Sequence, residues 1–89
     1  MEIIKNDKLC VAISPKGAEL QSIKDASGKE YLWQADPRFW ERRSPILFPI
    51  VGSLWNGRCN INGKTYEMGR HGFARDCNFE LVGKGESKA

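Results

Sequence analysis

Short runs of apolar and β-branched residues, each cut off by a turn-forming cluster, recur along the chain and predict strands joined by tight turns. Glu2–Lys5 and Leu9–Ile13 read as two strands, with Asn6-Asp7 between them able to reverse the chain. Gly17–Lys24 is a further strand with weak alternation. Asp25-Ala26-Ser27-Gly28 has the composition of a turn, and Glu30–Trp33 follows as a short aromatic strand. Asn62-Gly63 is the strongest local signal: both residues tolerate positive φ, as a type I′ hairpin turn requires. It predicts paired strands at Arg58–Ile61 and Lys64–Met68. Cys77–Val82 makes a last strand, and the polar Gly83–Ala89 is expected to fray. No stretch carries the 3.6-residue period of an amphipathic helix, so the pattern is all-β.

The prolines interrupt this pattern in the middle of the chain. Asp36-Pro37 starts a helix, since Asp can cap free amides and Pro suits the first helical position. Ser44-Pro45 and Pro49 limit it to about one turn, through Trp40. Ser44 to Leu54 is then apolar and proline-punctuated, which excludes a central strand. An extended, partly buried segment that bends twice is expected there.

At 89 residues the chain has room for one small domain. Such a chain buries only roughly 60–65% of its unfolded surface, which makes it marginal in stability. A hydrophobic share of 40% and a charged share of 28% exclude disorder over most of its length. The longest apolar runs are a few residues, too short to span a membrane, and Met1-Glu2-Ile3-Ile4-Lys5 has no signal core. A cytoplasmic protein is expected. Cys10, Cys59 and Cys77 are odd in number and form no CxxC pair, so they read as free, buried or half-buried thiols. The net charge of +3 permits an anionic partner without requiring one.

Candidate chemistry gathers in two places. His71, the only histidine, lies in Arg70-His71-Gly72-Phe73-Ala74-Arg75-Asp76, in a loop between a hairpin and a strand. A lone histidine is often structural, but two flanking arginines suit an anion or a polyol, and both readings stand. The second group is Trp33, Phe39, Trp40, Arg42, Arg43 and Trp55, in which aromatics could stack on sugar faces and arginines grip phosphates or hydroxyls. Alternatively these are core aromatics with a solvated basic edge. Nucleic-acid binding competes, because single-strand binders interleave basic and aromatic residues. Gly72-Phe73-Ala74 even resembles an RNA-recognition submotif, but Arg75 stands where a second stacking aromatic is needed. No phosphate loop, nucleophile elbow or metal-ligand spacing is present.

Three blocks, taken in order, resemble one family. They are Tyr31-Leu32-Trp33-Gln34-Ala35-Asp36-Pro37 with Trp40, then Arg43-Ser44-Pro45-Ile46-Leu47-Phe48-Pro49-Ile50-Val51-Gly52, then His71-Gly72-Phe73-Ala74-Arg75-Asp76. Their order and spacing are similar to the N-terminal part of the aldose 1-epimerase (galactose mutarotase-like) family. Within it they resemble the LacX-type branch, which is related to the glucose-6-phosphate 1-epimerases. On this resemblance, residues 1–82 form the N-terminal part of an antiparallel β-sandwich, the galactose mutarotase-like supersandwich, and 83–89 a polar tail.

The resemblance implies an isomerase that interconverts the α and β anomers of an aldose or aldose phosphate. One group protonates the ring oxygen while another removes the proton of the anomeric hydroxyl, and the opened sugar recloses on its other face. It implies that His71 is the first active-site histidine of the family, holding the ring and polarising its oxygens. Arg75 is implied as a ligand of hydroxyl or phosphate oxygens, and Arg43 as a second. Galactose mutarotases proper tend to carry a substrate-binding arginine just after a glycine, where this chain has Gly52-Ser53. The general acid histidine and general base glutamate are expected beyond the end of this chain, which would then be inactive alone. No metal or nucleotide cofactor is implied. The implied partner is a small sugar or sugar phosphate, with no nucleic acid and no membrane. A non-catalytic module binding a carbohydrate or sugar phosphate is the alternative, and a small basic nucleic-acid-binding β domain is a second.

Overall fold

The computed structural model describes residues 1–89. Its first sheet is a meander of β1 (Glu2–Lys5), β2 (Leu9–Ile13) and β3 (Leu20–Asp25). Ile3, Ile4, Val11, Ile13 and Ile23 favour extended backbone, and Ile4, Val11 and Ile23 fall in one cross-strand row. Asn6 closes the first turn: its side-chain oxygen accepts the amides of Lys8 and Leu9, each at 2.8 Å. The third strand begins at Leu20 and not at Gly17, because Gly17 (φ 70°) and Ala18 (φ 48°) are both left-handed and belong to the turn.

The strand expected at Glu30–Trp33 is reduced to a single bridge between Lys24 and Glu30. Its cause is the Glu30 carboxylate, which accepts the Ile23 amide at 2.8 Å, the Leu32 amide at 3.1 Å and the Ser22 hydroxyl. The Ser22 hydroxyl foremost, then the Ile23 amide, hold the Glu30 carboxyl below its ordinary 4.5. Ala35, at φ 59°, then turns the chain away. The helix expected from Asp36 through Trp40 is only a hydrogen-bonded turn, the Asp36 carbonyl accepting the amides of Phe39 and Trp40 at 3.0 Å and its carboxylate the Arg38 amide at 3.0 Å, because Pro45 and Pro49 follow too closely for it to extend.

The hairpin pairs β4 (Arg58–Ile61) with β5 (Lys64–Glu67), around Asn62 (φ 51°) and Gly63 (φ 80°). Three-residue 3₁₀ turns at Trp55–Gly57 and Ala74–Asp76 are the only helical pieces. The strand expected at Cys77–Val82 is again one bridge, Lys16 to Asn78, flanked by Gly17 N–H to Cys77 O (2.6 Å) and Phe79 N–H to Pro15 O (2.8 Å). The turn at 15–17 offers no longer edge, and residues 80–82 make no backbone hydrogen bond. Residues 84–86 lie beside β1 through Lys5 N–H to Glu86 O (2.8 Å) and Lys84 to Glu2 (3.4 Å).

These pieces form a single layer measuring 53 × 35 × 16 Å. The radius of gyration is 16.5 Å, against about 12 Å for a compact chain of this size. Ala12, Gly17 and Ala74 are the only buried residues. Ile46, Leu47, Phe48 and Val51 of the proline-rich segment, expected to be partly buried, are exposed. Cys10 and Cys59 are half-buried free thiols as expected, whereas Cys77 is exposed. The single layer therefore leaves large apolar side chains uncovered, among them Phe48, Val51 and Val82. No helix is long and apolar enough to cross a membrane.

Candidate functional site

Hydrogen bonds, all but one of them backbone to backbone, join the proline-rich segment to the histidine loop. The Phe48 carbonyl accepts the amides of Phe73 (3.0 Å) and Ala74 (3.1 Å). His71 and Gly52 bond twice: His71 N–H donates to Gly52 O at 2.7 Å, and Gly52 N–H donates to His71 Nδ1 at 2.8 Å. Only glycine fits at position 72. With φ at +72°, a Cβ there would lie 2.5 Å from the Phe48 carbonyl carbon and 2.7 Å from Pro49 N. Gly17 plays the same part on the other side, where a Cβ would sit 2.6 Å from Arg75 O. His71 itself is left-handed, at φ 64°, an uncommon state for a non-glycine residue.

This junction forms one wall of an open cleft of about 580 Å³, lined by Trp40, Arg42, Ser44, Pro45, Leu47, Arg70, His71 and Arg75. Two of the three residues singled out in the sequence, His71 and Arg75, therefore share one site. Arg43 does not line it: its guanidinium is directed to Gln34 O at 3.5 Å. Arg42 and Arg70 line it instead. The Arg75 Nη2 donates to Arg70 O at 3.1 Å, while its Nε is shielded from solvent without a protein partner. Arg42 is 3.9 Å from Asp76, too far for a strong ion pair.

The aromatic group divides. Trp40 reaches the cleft and is half exposed, with its carbonyl held by the Trp33 indole N–H at 2.7 Å. Trp33 in turn meets Phe39 edge-on, 6.2 Å between ring centres. Trp55, 89% exposed, lies outside the cleft. A wholly polar depression of about 340 Å³ adjoins, sharing Arg42 and Arg75 and adding Lys16, Glu19, Glu41 and Asp76.

Three guanidinium groups, an indole and an imidazole suit an oxygen-rich ligand, neutral or anionic. No carboxylate lines the cleft, so it offers no carboxylate base. No group of three or more His, Cys, Asp or Glu is placed to hold a metal ion.

The aldose 1-epimerase family model matches residues 1–89. Over 83 residues the chain is 46% identical to the plasmid LacX protein of Lactococcus lactis subsp. lactis, a match covering 88% of this chain and 28% of that protein. Two solved structures superpose on it closely. A galactose mutarotase related enzyme from Lactobacillus acidophilus has a TM-score of 0.90 and 46% identity, covering 96% of this chain and 29% of that one. A galactose mutarotase-like protein from Lactobacillus casei ATCC 334 has a TM-score of 0.91 and 42% identity, covering 97% and 30%. The chain thus spans less than a third of the length of these relatives and corresponds to their N-terminal part. Its fold is galactose mutarotase-like.

Proposed function

The chain belongs to the aldose 1-epimerase family, and from that premise we propose that its protein interconverts the α and β anomers of an aldose or aldose phosphate. The cleft around His71 is the share of the sugar site that these residues contribute. The observation that carries this reading is the meeting of His71, Arg75 and Trp40 on one cleft, with Arg42 and Arg70 beside them.

In this reading the half-exposed Trp40 ring covers the apolar face of the pyranose. Arg75, Arg42 and Arg70 donate to hydroxyl or phosphate oxygens, with Arg42 and Arg70 taking the part that the family resemblance gave to Arg43. His71 contacts the oxygens at the reacting centre. The cleft holds no carboxylate to take the proton of the anomeric hydroxyl, so in this reading that base comes from outside it. Ring opening of this kind needs neither a metal nor a nucleotide.

Amide NMR titration of the chain with glucose 6-phosphate and with galactose tests the binding role. Shifts centred on His71 and Arg75 are expected, and Arg75→Ala should lose the phosphorylated sugar while keeping the neutral one. If Arg75→Ala changes neither, the assignment of Arg75 is wrong. In a full-length family protein carrying these residues, His71→Ala should slow anomer exchange by roughly 10²–10³-fold, as for loss of one well-placed donor. Unchanged exchange would remove His71 from the reaction. The lack of a carboxylate in the cleft also favours a second reading, a sugar-binding module without catalysis. It predicts retained binding with no anomer exchange in the full-length protein.

A further inference from the structure

We infer that the backbone amide of Gly52 fixes the tautomer of His71, so that Nε2–H is the one group the ring offers to a ligand. His71 then donates a hydrogen bond to a substrate oxygen and does not accept the anomeric proton. An amide nitrogen can only donate, so Nδ1, 2.8 Å from Gly52 N, must present its lone pair. In neutral imidazole one nitrogen carries the lone pair and the other the proton, which places the proton on Nε2. The imidazolium carries N–H at both positions and would oppose two donors, so this contact belongs to the neutral ring alone.

The geometry that aims the amide is a property of two backbone conformations. Gly52 at φ 84° and His71 at φ 64° are both left-handed, and the return bond from His71 N–H to Gly52 O at 2.7 Å locks the pair face to face. No protein acceptor engages Nε2, and the ring lines the cleft. With Nδ1 occupied, a ligand meets only Nε2–H. The guanidinium groups of Arg42, Arg70 and Arg75 are also donors only. Toward a ligand, the charged and imidazole groups of the cleft thus all give hydrogen bonds and none takes one, which selects a ligand rich in oxygen lone pairs. The tautomer stands on the geometry alone; donation to a sugar oxygen rests on the function proposed above.

His71 is the only histidine, so the chain labelled with ring-¹⁵N histidine gives a single imidazole spin system. Long-range proton–nitrogen spectra at neutral to mildly alkaline pH should show Nδ1 unprotonated and Nε2 protonated. A scalar coupling should also cross the hydrogen bond from the Gly52 amide to Nδ1. A protonated Nδ1, or the averaged shifts of freely exchanging tautomers, overturns the inference. The donor role has its own test in two variants titrated with glucose 6-phosphate and galactose. His71→Gln keeps an N–H near the Nε2 position and should stay within about threefold of the parent affinity, whereas His71→Asn should lose tenfold or more. Equal losses overturn the donor role. If the parent binds neither sugar while the ring shows Nε2–H, the sugar reading fails and the tautomer assignment stands.

Discussion

Substituting alanine for Gly72 probes how the cleft is held together, and the expected cost can be worked from two contributions. A left-handed backbone costs a residue with a Cβ roughly 1–2 kcal/mol. The new methyl group would also stand 2.5 Å from the Phe48 carbonyl carbon and 2.7 Å from Pro49 N, both backbone atoms that cannot swing aside. The loop must retreat, giving up the bonds from Phe73 and Ala74 to the Phe48 carbonyl, each worth about 1 kcal/mol net. The total is about 3–4 kcal/mol. Gly28 supplies the control, since it has φ +89° but nothing within 4 Å of its virtual Cβ, so Gly28→Ala carries only the backbone cost. The difference, about 2 kcal/mol, is roughly thirtyfold in an equilibrium constant. Hydrogen exchange reads it directly: the Phe73 and Ala74 amides should exchange about thirtyfold faster in Gly72→Ala than in Gly28→Ala. Equal exchange in the two variants would refute the close approach of these two loops.

Two further outcomes follow from contacts elsewhere in the fold. The Glu30 carboxyl, held below 4.5 by the Ser22 hydroxyl and then the Ile23 amide, stabilises the fold above its ordinary range and loses that contribution as pH falls through the lowered folded value. Carbon-13 titration should place its midpoint below 4.5, with the step absent in Glu30→Gln; a midpoint at or above 4.5 contradicts the contact. Trp33→Phe removes the indole donor that holds Trp40 by its carbonyl, a loss of about 1 kcal/mol. Galactose affinity should fall about fivefold, measured by NMR titration. Unchanged affinity together with an unmoved Trp40 indole signal would show that Trp33 does not place Trp40.

The elements legible in the sequence are those fixed by local chemistry. β1 and β2 follow from β-branched runs around an Asn turn, and the β4–β5 hairpin follows from Asn62-Gly63. The strands expected at Glu30–Trp33 and Cys77–Val82 failed because a ladder depends on what the neighbouring edge offers. A side-chain carboxylate already takes the Ile23 amide, and the turn at 15–17 offers too little edge for Cys77–Val82. Joining His71 to Arg75 was legible because four residues separate them within one motif. That Arg42 and not Arg43 lines the cleft was not: the two are adjacent residues of the same type in a bent segment, and no periodicity there says which side chain faces which way. Arg70 was visible as a flank of His71, but nothing in its own position marked it as a cleft residue.

The histidine loop and the proline-rich segment are fastened by main-chain atoms of Phe48, Gly52, His71, Phe73 and Ala74, with the His71 imidazole as the one side chain that joins in. Side chains on the opposite wall, Trp40 and Arg42, take no part in that fastening, and neither does the Arg70 side chain. Frame and lining are therefore separable in evolution and in the laboratory. A library randomised at positions 40, 42 and 70, with 48, 52 and 71–74 left alone, would vary what the cleft accepts while leaving intact the bonds that shape it.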